Sequence, residues 1–452
     1  LTGLNISSYL NETSADSLNK TRAYIGTGAE VTADNDITIS ARDNTKVSIL
    51  AGGASAGTVG VGGGVGIATV NTTTEAFAGN NSKLWAGRNI TIEAVNQADG
   101  GTQYSVIAFG GGAGLVGGIG ASVAYLDVNN TVRSYIGTGA QVSKANELKV
   151  NSTVNNTLKA EAVGASGGVN GAVGASLARA NLTGRAESYL GNSVSVQQTV
   201  SINVRSQWIS DINATSWAGA FGIGASGNGA VALASADPIV SAYFGNNVNI
   251  NTSGSINILS QSEINVYSKT FGVSVGAVNV GASVSEARIA PVVSAYIGSG
   301  NVKAGGGIRL ESLHNSQSNG ATVDKGATAE AEASGGSLVG GTGAHAKAIS
   351  SADVYTYTGS GSVLEAGQSI AIRGISYNKA VSKAYGITGG LVAAVGAALA
   401  DATTDGITRA YMNGRVNNGS AFQVVVQGFD TASAESWAAA GGIAARSGNH
   451  AK

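Results

Sequence analysis

One short pattern returns along the chain at nearly constant spacing. Ala23-Tyr24-Ile25-Gly26 recurs as Ala76-Phe77-Ala78-Gly79, Ser134-Tyr135-Ile136-Gly137, Ser188-Tyr189-Leu190-Gly191, Ala242-Tyr243-Phe244-Gly245, Ala295-Tyr296-Ile297-Gly298, Thr356-Tyr357-Thr358-Gly359 and Ala410-Tyr411-Met412-Asn413. The aromatic stands at 24, 77, 135, 189, 243, 296, 357 and 411, so the steps are 53, 58, 54, 54, 53, 61 and 54. A second mark keeps the same register. Paired apolar residues follow each aromatic at Ile37/Ile39, Ile90/Ile92, Leu148/Val150, Ile202/Val204, Ile256/Ile258, Ile370/Ile372 and Val424/Val426, and one residue early at Ile308/Leu310. A fixed period of this length marks a repeat architecture, in which each unit buries its apolar face only against its neighbours.

Each unit has an aromatic segment, an alternating segment such as Asp36-Ile37-Thr38-Ile39-Ser40-Ala41, and a Gly/Ala/Val tract such as Thr58 to Ala68. Alternation with period two marks strands with one buried face. Asn, Asp, Gly and Ser clusters between them read as turns. No helical stripe with caps interrupts the series. In the tracts Gly alternates with Val, Ile or Ala, so one face is nearly bare and another backbone can approach it closely. These features predict an all-β fold: a single parallel β-helix or β-solenoid over 1–452, with about eight units and a tightly packed Gly/Ala-rich core. Three coils of about 18 residues per unit are expected, giving a rod of about 120 Å; two wider coils per unit would give about 80 Å.

Composition narrows the function. Hydrophobic residues make up 43%, enough to exclude disorder despite 68 Gly. A formal net charge of −1 with no basic stripe leaves no electrostatic footprint for nucleic acid. With no Cys there are neither disulfides nor thiolate metal sites, which fits an exported protein. The chain opens on Leu1 without a signal pattern and stops inside a Gly/Ala-rich segment, so it reads as a piece of something longer. Tyr385 to Ala402 carries no charge before Asp401, yet its Gly content and its place in the unit make it a strand rather than a membrane helix.

No catalytic, metal or cofactor set emerges. His314, His345 and His450 lie far apart at different repeat positions and are expected to be solvated or in turns. Glu330 and Glu332 would share a face of a strand and lie in one unit with His345, but nothing separates them from surface charge. Calcium-binding nonapeptides and phosphate-binding loops are missing their Asp and Lys-Ser/Thr partners. Triplets such as Asn5-Ile6-Ser7 and Asn89-Ile90-Thr91 follow from composition. The aromatic column carries the sharper expectation. Alternation puts Thr21, Ala23 and Ile25 on one face, inward, and Arg22, Tyr24 and Gly26 on the other. Tyr24, Phe77, Tyr135, Tyr189, Tyr243, Tyr296, Tyr357 and Tyr411 then form an outward row every three coils, a candidate stripe for lateral contact or glycan binding. The competing expectation is that each ring lies over a turn and packs on its own chain.

Ala23 to Ala29, Val31 to Ala33, Asp36 to Ala41 and the tract Thr58 to Ala68 together resemble large bacterial filamentous adhesins, the leukotoxin-like and filamentous-hemagglutinin-like exoproteins. The likeness covers residues 20–452. It implies a right-handed parallel β-helix, export through an outer-membrane β-barrel partner, and a place at the cell surface or outside the cell. The expected function is a non-catalytic rod or filament module of an adhesin. Its expected partners are copies of itself, along or beside the rod, and a host or surface glycan or protein. A self-assembling tube, sheath or surface layer is the structural rival, and a glycan-processing enzyme on a β-helix the catalytic one.

Overall fold

The computed structural model describes residues 19–97 and 102–452; Asn5-Ile6-Ser7 lies outside them. The described residues contain strands and turns and no helix. All strands join one continuous sheet through parallel pairing. Tyr24 pairs with Phe77, Phe77 with Tyr135, and the series continues through Tyr189, Tyr243, Tyr296 and Tyr357 to Tyr411. The chain is therefore a parallel β-solenoid, and its register is the sequence repeat itself.

That register corrects the expected coil count. A residue pairs with its equivalent one full unit later, so each unit makes one wide coil, neither three nor two. Seven steps of about 4.8 Å separate the first and last aromatics, a height of about 34 Å. The outgoing arm of one unit covers Ser195–Gly222, bulged between Val196 and Thr199, so the coil is roughly 80 Å wide. The described stack is thus broader than it is tall. One Asn/Ser/Thr cluster is extended strand. The segment Asn151 to Thr157 lies inside the strand Gln141–Gly168, with Asn156 buried. Its amide is used inside the coil: Asn130 Nδ2 donates to Asn156 Oδ1 at 3.2 Å, and Thr72 Oγ1 donates to Asn130 Oδ1 at 2.7 Å. Buried polar groups that find partners in neighbouring rungs do not need a turn.

Length changes are absorbed in two places, within the outgoing arm and at the corner. The 61-residue step comes from a loop at 315–326 between the strands Ile308–His314 and Ala327–Thr358. The early pair Ile308/Leu310 still lies against Ile256/Ile258 and Ile370/Ile372. The missing residue is at the corner, where Gly300 faces Val248. Gly300 has φ +115°, and a Cβ there would lie 2.1 Å from the Val248 carbonyl oxygen, so only glycine closes this shortened turn. In the last unit the register slides by two: Phe422 and Val424, not Val424 and Val426, lie against Ile370 and Ile372.

Each coil is a flattened ring. Two arms run out from the aromatic corner, face each other, and meet at a tip near residues 58, 115, 169, 223, 277, 338, 391 and 443. At the corner end the arms enclose Ile90, Ile92, Leu148, Val150, Ile202 and Val204, which are buried, while their equivalents in the last rung, Phe422 and Val424, are exposed. Beside them, still near the corner, inward serines join the arms: Ser134 Oγ donates to the Asn151 carbonyl at 2.7 Å, and Ser188 Oγ to that of Arg205 at 2.6 Å. Toward the tip the inner face becomes glycine. A Cβ at Gly110, Gly112 or Gly114 would fall 1.9–2.0 Å from the carbonyl oxygens of Ala121, Ile119 and Gly117 on the opposite arm. The bare face expected from the tracts is therefore internal, and it lets two sheets meet backbone to backbone.

Candidate functional site: the aromatic ladder

Alternation in the strand Tyr104–Ile136 buries Val132, Ser134 and Ile136 and turns Arg133 and Tyr135 outward. The same parity holds at Val293, Ala295 and Ile297, all fully buried beside outward Tyr296. Because each unit is one coil, the outward aromatics do not stand three coils apart. They stack directly. Successive ring centroids are 5.1, 4.7, 4.9, 4.8, 4.6, 4.9 and 5.2 Å apart from Tyr24 through Phe77 and Tyr135 to Tyr411, with planes within 10° of parallel. Parallel strands hold equivalent side chains at the rung spacing, and flat rings tolerate that spacing without strain.

Stacking decides what a partner can reach. In the six interior rings both π faces lie against neighbouring rings, so a sugar cannot stack there. Only ring edges and hydroxyls remain. Tyr24, 62% exposed, and Tyr411, 38% exposed, each keep one free face at the ends of the described stack. Burial raises the phenol pKa of Tyr135, Tyr189, Tyr243, Tyr296 and Tyr357, that of Tyr296 to about 12, with neighbouring phenols and Glu75 or Glu187 adding to the effect along most of the column. These five phenols are therefore uncharged at physiological pH.

A charged row runs beside it. Arg22 pairs with Glu75 at 2.6 Å, and Arg133 contacts Glu75 at 3.7 Å and Glu187 at 2.8 Å. Arg185 reaches Glu187 at 3.3 Å. Farther along the row, Ser241 and Ser294 continue it as a 2.9 Å hydroxyl contact. The acids alternate with arginines up the stack, so they are neutralised within the molecule.

No family model, curated protein or solved structure matches this chain. What its side chains can do has to be read from their surroundings.

The remaining candidates resolve into structural contacts. Glu330 and Glu332 do share the outward face, as alternation requires, and Lys269 bridges them at 3.3 and 3.4 Å. The Tyr267 hydroxyl also donates to Glu330 at 2.7 Å. His314 is neither solvated nor in a turn. It ends the strand Ile308–His314, fully buried, with Nδ1 2.8 Å from Ser262 Oγ. Burial pushes its pKa down to about 3. His345, which lies 3.2 Å from Asp401, shares a register column with His450, with Leu399 between them, so the two do not occupy different repeat positions. Among the described residues, no group of three or more His, Asp or Glu converges as metal ligands would.

The feature that sequence reasoning did not single out is the tip region. Its outward side chains are large and apolar while its inward ones are glycine and serine. The signal was present in the alternation of the Gly tracts, but which of the two faces points inward depends on the opposing arm.

Proposed function

We propose that this chain is a non-catalytic structural module of a bacterial surface or secreted filament, of the kind the filamentous adhesins represent. The observation that carries the reading is the continuous rung-to-rung register from Lys20 to Ala451. A stack in which every rung templates the next extends by adding units, and its stiffness comes from parallel hydrogen bonding along the axis. Satisfied ion pairs and closed ring stacks, in place of converging acids, support a load-bearing role over a catalytic one.

The geometry changes how such a module would work. One unit of about 54 residues adds only about 4.8 Å of height. The chain gains breadth faster than reach, so it presents wide faces on which weak contacts add by multivalency. Antibodies raised against the folded chain test the reading. They should label the outside of intact source cells, on ribbons about 80 Å wide in negative stain. Labelling confined to lysed cells would refute the surface placement, and isolated globular particles would refute the filament.

A further inference from the structure

The two arms of each coil converge into a thin fin whose polarity is inverted. Its inner surface carries glycine and small polar groups. Ser176 and Ser216 lie 2.7 Å apart, Thr342 and Thr388 2.6 Å apart, and Asn279 Nδ2 donates to the Ser274 carbonyl at 3.0 Å. Its outer surface carries large apolar residues. They lie on the outgoing face (Phe221, Val275 and Ile387) and on the returning face (Val61, Val173 and Val280). They also lie along the edge, where Leu115 is 73%, Ile223 75%, Leu391 70% and Ile443 90% exposed.

We propose that this fin is a lipid-contacting edge that enters one leaflet of a bilayer. Four observations converge on that occupant. The first is depth. No Asp, Glu, Lys or Arg occurs from Val47 to Thr74, Ile107 to Leu126, Ala162 to Ala178, Ser216 to Ala236, Thr270 to Ser285 or Ala384 to Ala400, whereas in the last rung Arg446 follows the tip by three residues. In the coil Ala162 to Ala178 about eight residues lie on each arm, a charge-free depth of about 25 Å, against about 20–22 Å for a leaflet with its headgroups. The second is the boundary. At the fin base Phe109, Trp217, Phe271, Tyr385 and Trp437 share one register column with Gly52, Val163 and Glu332, directly beyond a column holding Glu161, Lys269, Glu330, Lys383 and Glu435; Glu332 is paired to Lys269 of that outer column. Amphipathic rings between charge and apolar surface are the arrangement favoured at a membrane interface.

The third is the backbone. Hydrocarbon admits only main chain whose polar groups are satisfied. Rung-to-rung bonds continue around the edge at residues 223 and 277: the amides of Ile223 and Gly224 bond to the Val169 carbonyl, and that of Ala277 to the Ile223 carbonyl. The fourth is that both faces and the edge are apolar. A second copy would cover one face and leave the others wet, whereas a fluid medium covers all three. Shallow troughs indent both faces, one lined by Ala54, Ala56, Gly111 and Ala113 and one by Val59, Gly118 and Val173.

Flotation with uncharged phosphatidylcholine vesicles tests this on the chain alone. The native chain is expected to float with the vesicles, and its binding should change little with salt. Leu115→Lys, Ile223→Lys and Leu391→Lys combined should lower partitioning at least about tenfold. These side chains point to solvent, so far-UV circular dichroism should be unchanged. The chain has no Cys, so a fluorophore can be placed singly at Leu391→Cys or, as a control, at Asn257→Cys. Bromine-labelled acyl chains should quench the first and not the second. A native chain that stays with the buffer, a triple lysine variant that floats as well, or equal quenching at both sites would overturn the proposal. Fin-dependent dimers in sedimentation without flotation would overturn it too, and would assign the fin to a second copy.

Discussion

Tyr189 has one ring face on Tyr135 and the other on Tyr243, and the same holds at each interior rung. An aromatic pair contributes about 0.5–1.5 kcal/mol beyond the area it buries. Tyr189→Ala removes two such contacts from the middle of the ladder and should destabilise by about 1–3 kcal/mol in urea unfolding. Tyr189→Phe keeps the stack and should stay within about 0.5 kcal/mol of the native chain. If the ladder were a docking stripe with no internal role, both variants would unfold like the parent. His314 gives a second residue-scale expectation. Its folded pKa of about 3 lies below the ordinary 6.5, so protons bind the unfolded chain more readily. Its contribution is therefore complete above pH about 6.5 and is eroded as pH falls toward 3, by about 2 kcal/mol between pH 7 and 5. His314→Gln should flatten that part of the stability–pH curve.

Elements behave differently on their two faces, and the Gly tracts show it most sharply. A Cβ on Gly112 would sit 2.0 Å from the Ile119 carbonyl oxygen and 2.7 Å from that of Gly60, while one on Gly111 would only touch Ala54 at 3.7 Å. Gly112→Ala should force the two sheets of the fin apart and cost about 3 kcal/mol. Gly111→Ala should be neutral or stabilise by up to about 1 kcal/mol, because alanine loses less backbone freedom on folding. Thermal unfolding of the two neighbours measures the difference directly. Equal effects would mean that the arms are not in backbone contact. Period two was legible throughout these strands, and it placed the outward tyrosines correctly. It could not say that Asn130 and Asn156 are strand residues inside a hydrogen-bond network, because polarity reads as a turn until the partner rung is known.

The whole molecule follows from how far apart in sequence the paired strands lie. Three coils per unit would have made a rod of about 120 Å; one coil per unit makes a slab about 34 Å high and roughly 80 Å wide. Small-angle scattering should return a maximum dimension near that width, about 80–90 Å. A value near 120 Å with a thin cross-section would restore the multi-coil reading. Stability in such a stack is a sum over rungs and their interfaces. Removing residues 413–452 should therefore lower the unfolding midpoint modestly and leave the remaining rungs folded. Loss of all β signal on that truncation would contradict additivity.

The repeat spacing, the alternation and the scarcity of helix signals were enough to specify an all-β stack of about eight equivalent units with an outward aromatic column, because these are local or strictly periodic properties of the chain. The number of coils in a unit, the closure of the rings into a continuous ladder, the burial of His314 and the inversion of polarity in the fin were decided only in three dimensions. Each depends on which backbone lies across from a residue or above it, and those partners are set by arms that meet across the coil and by rungs a whole unit away.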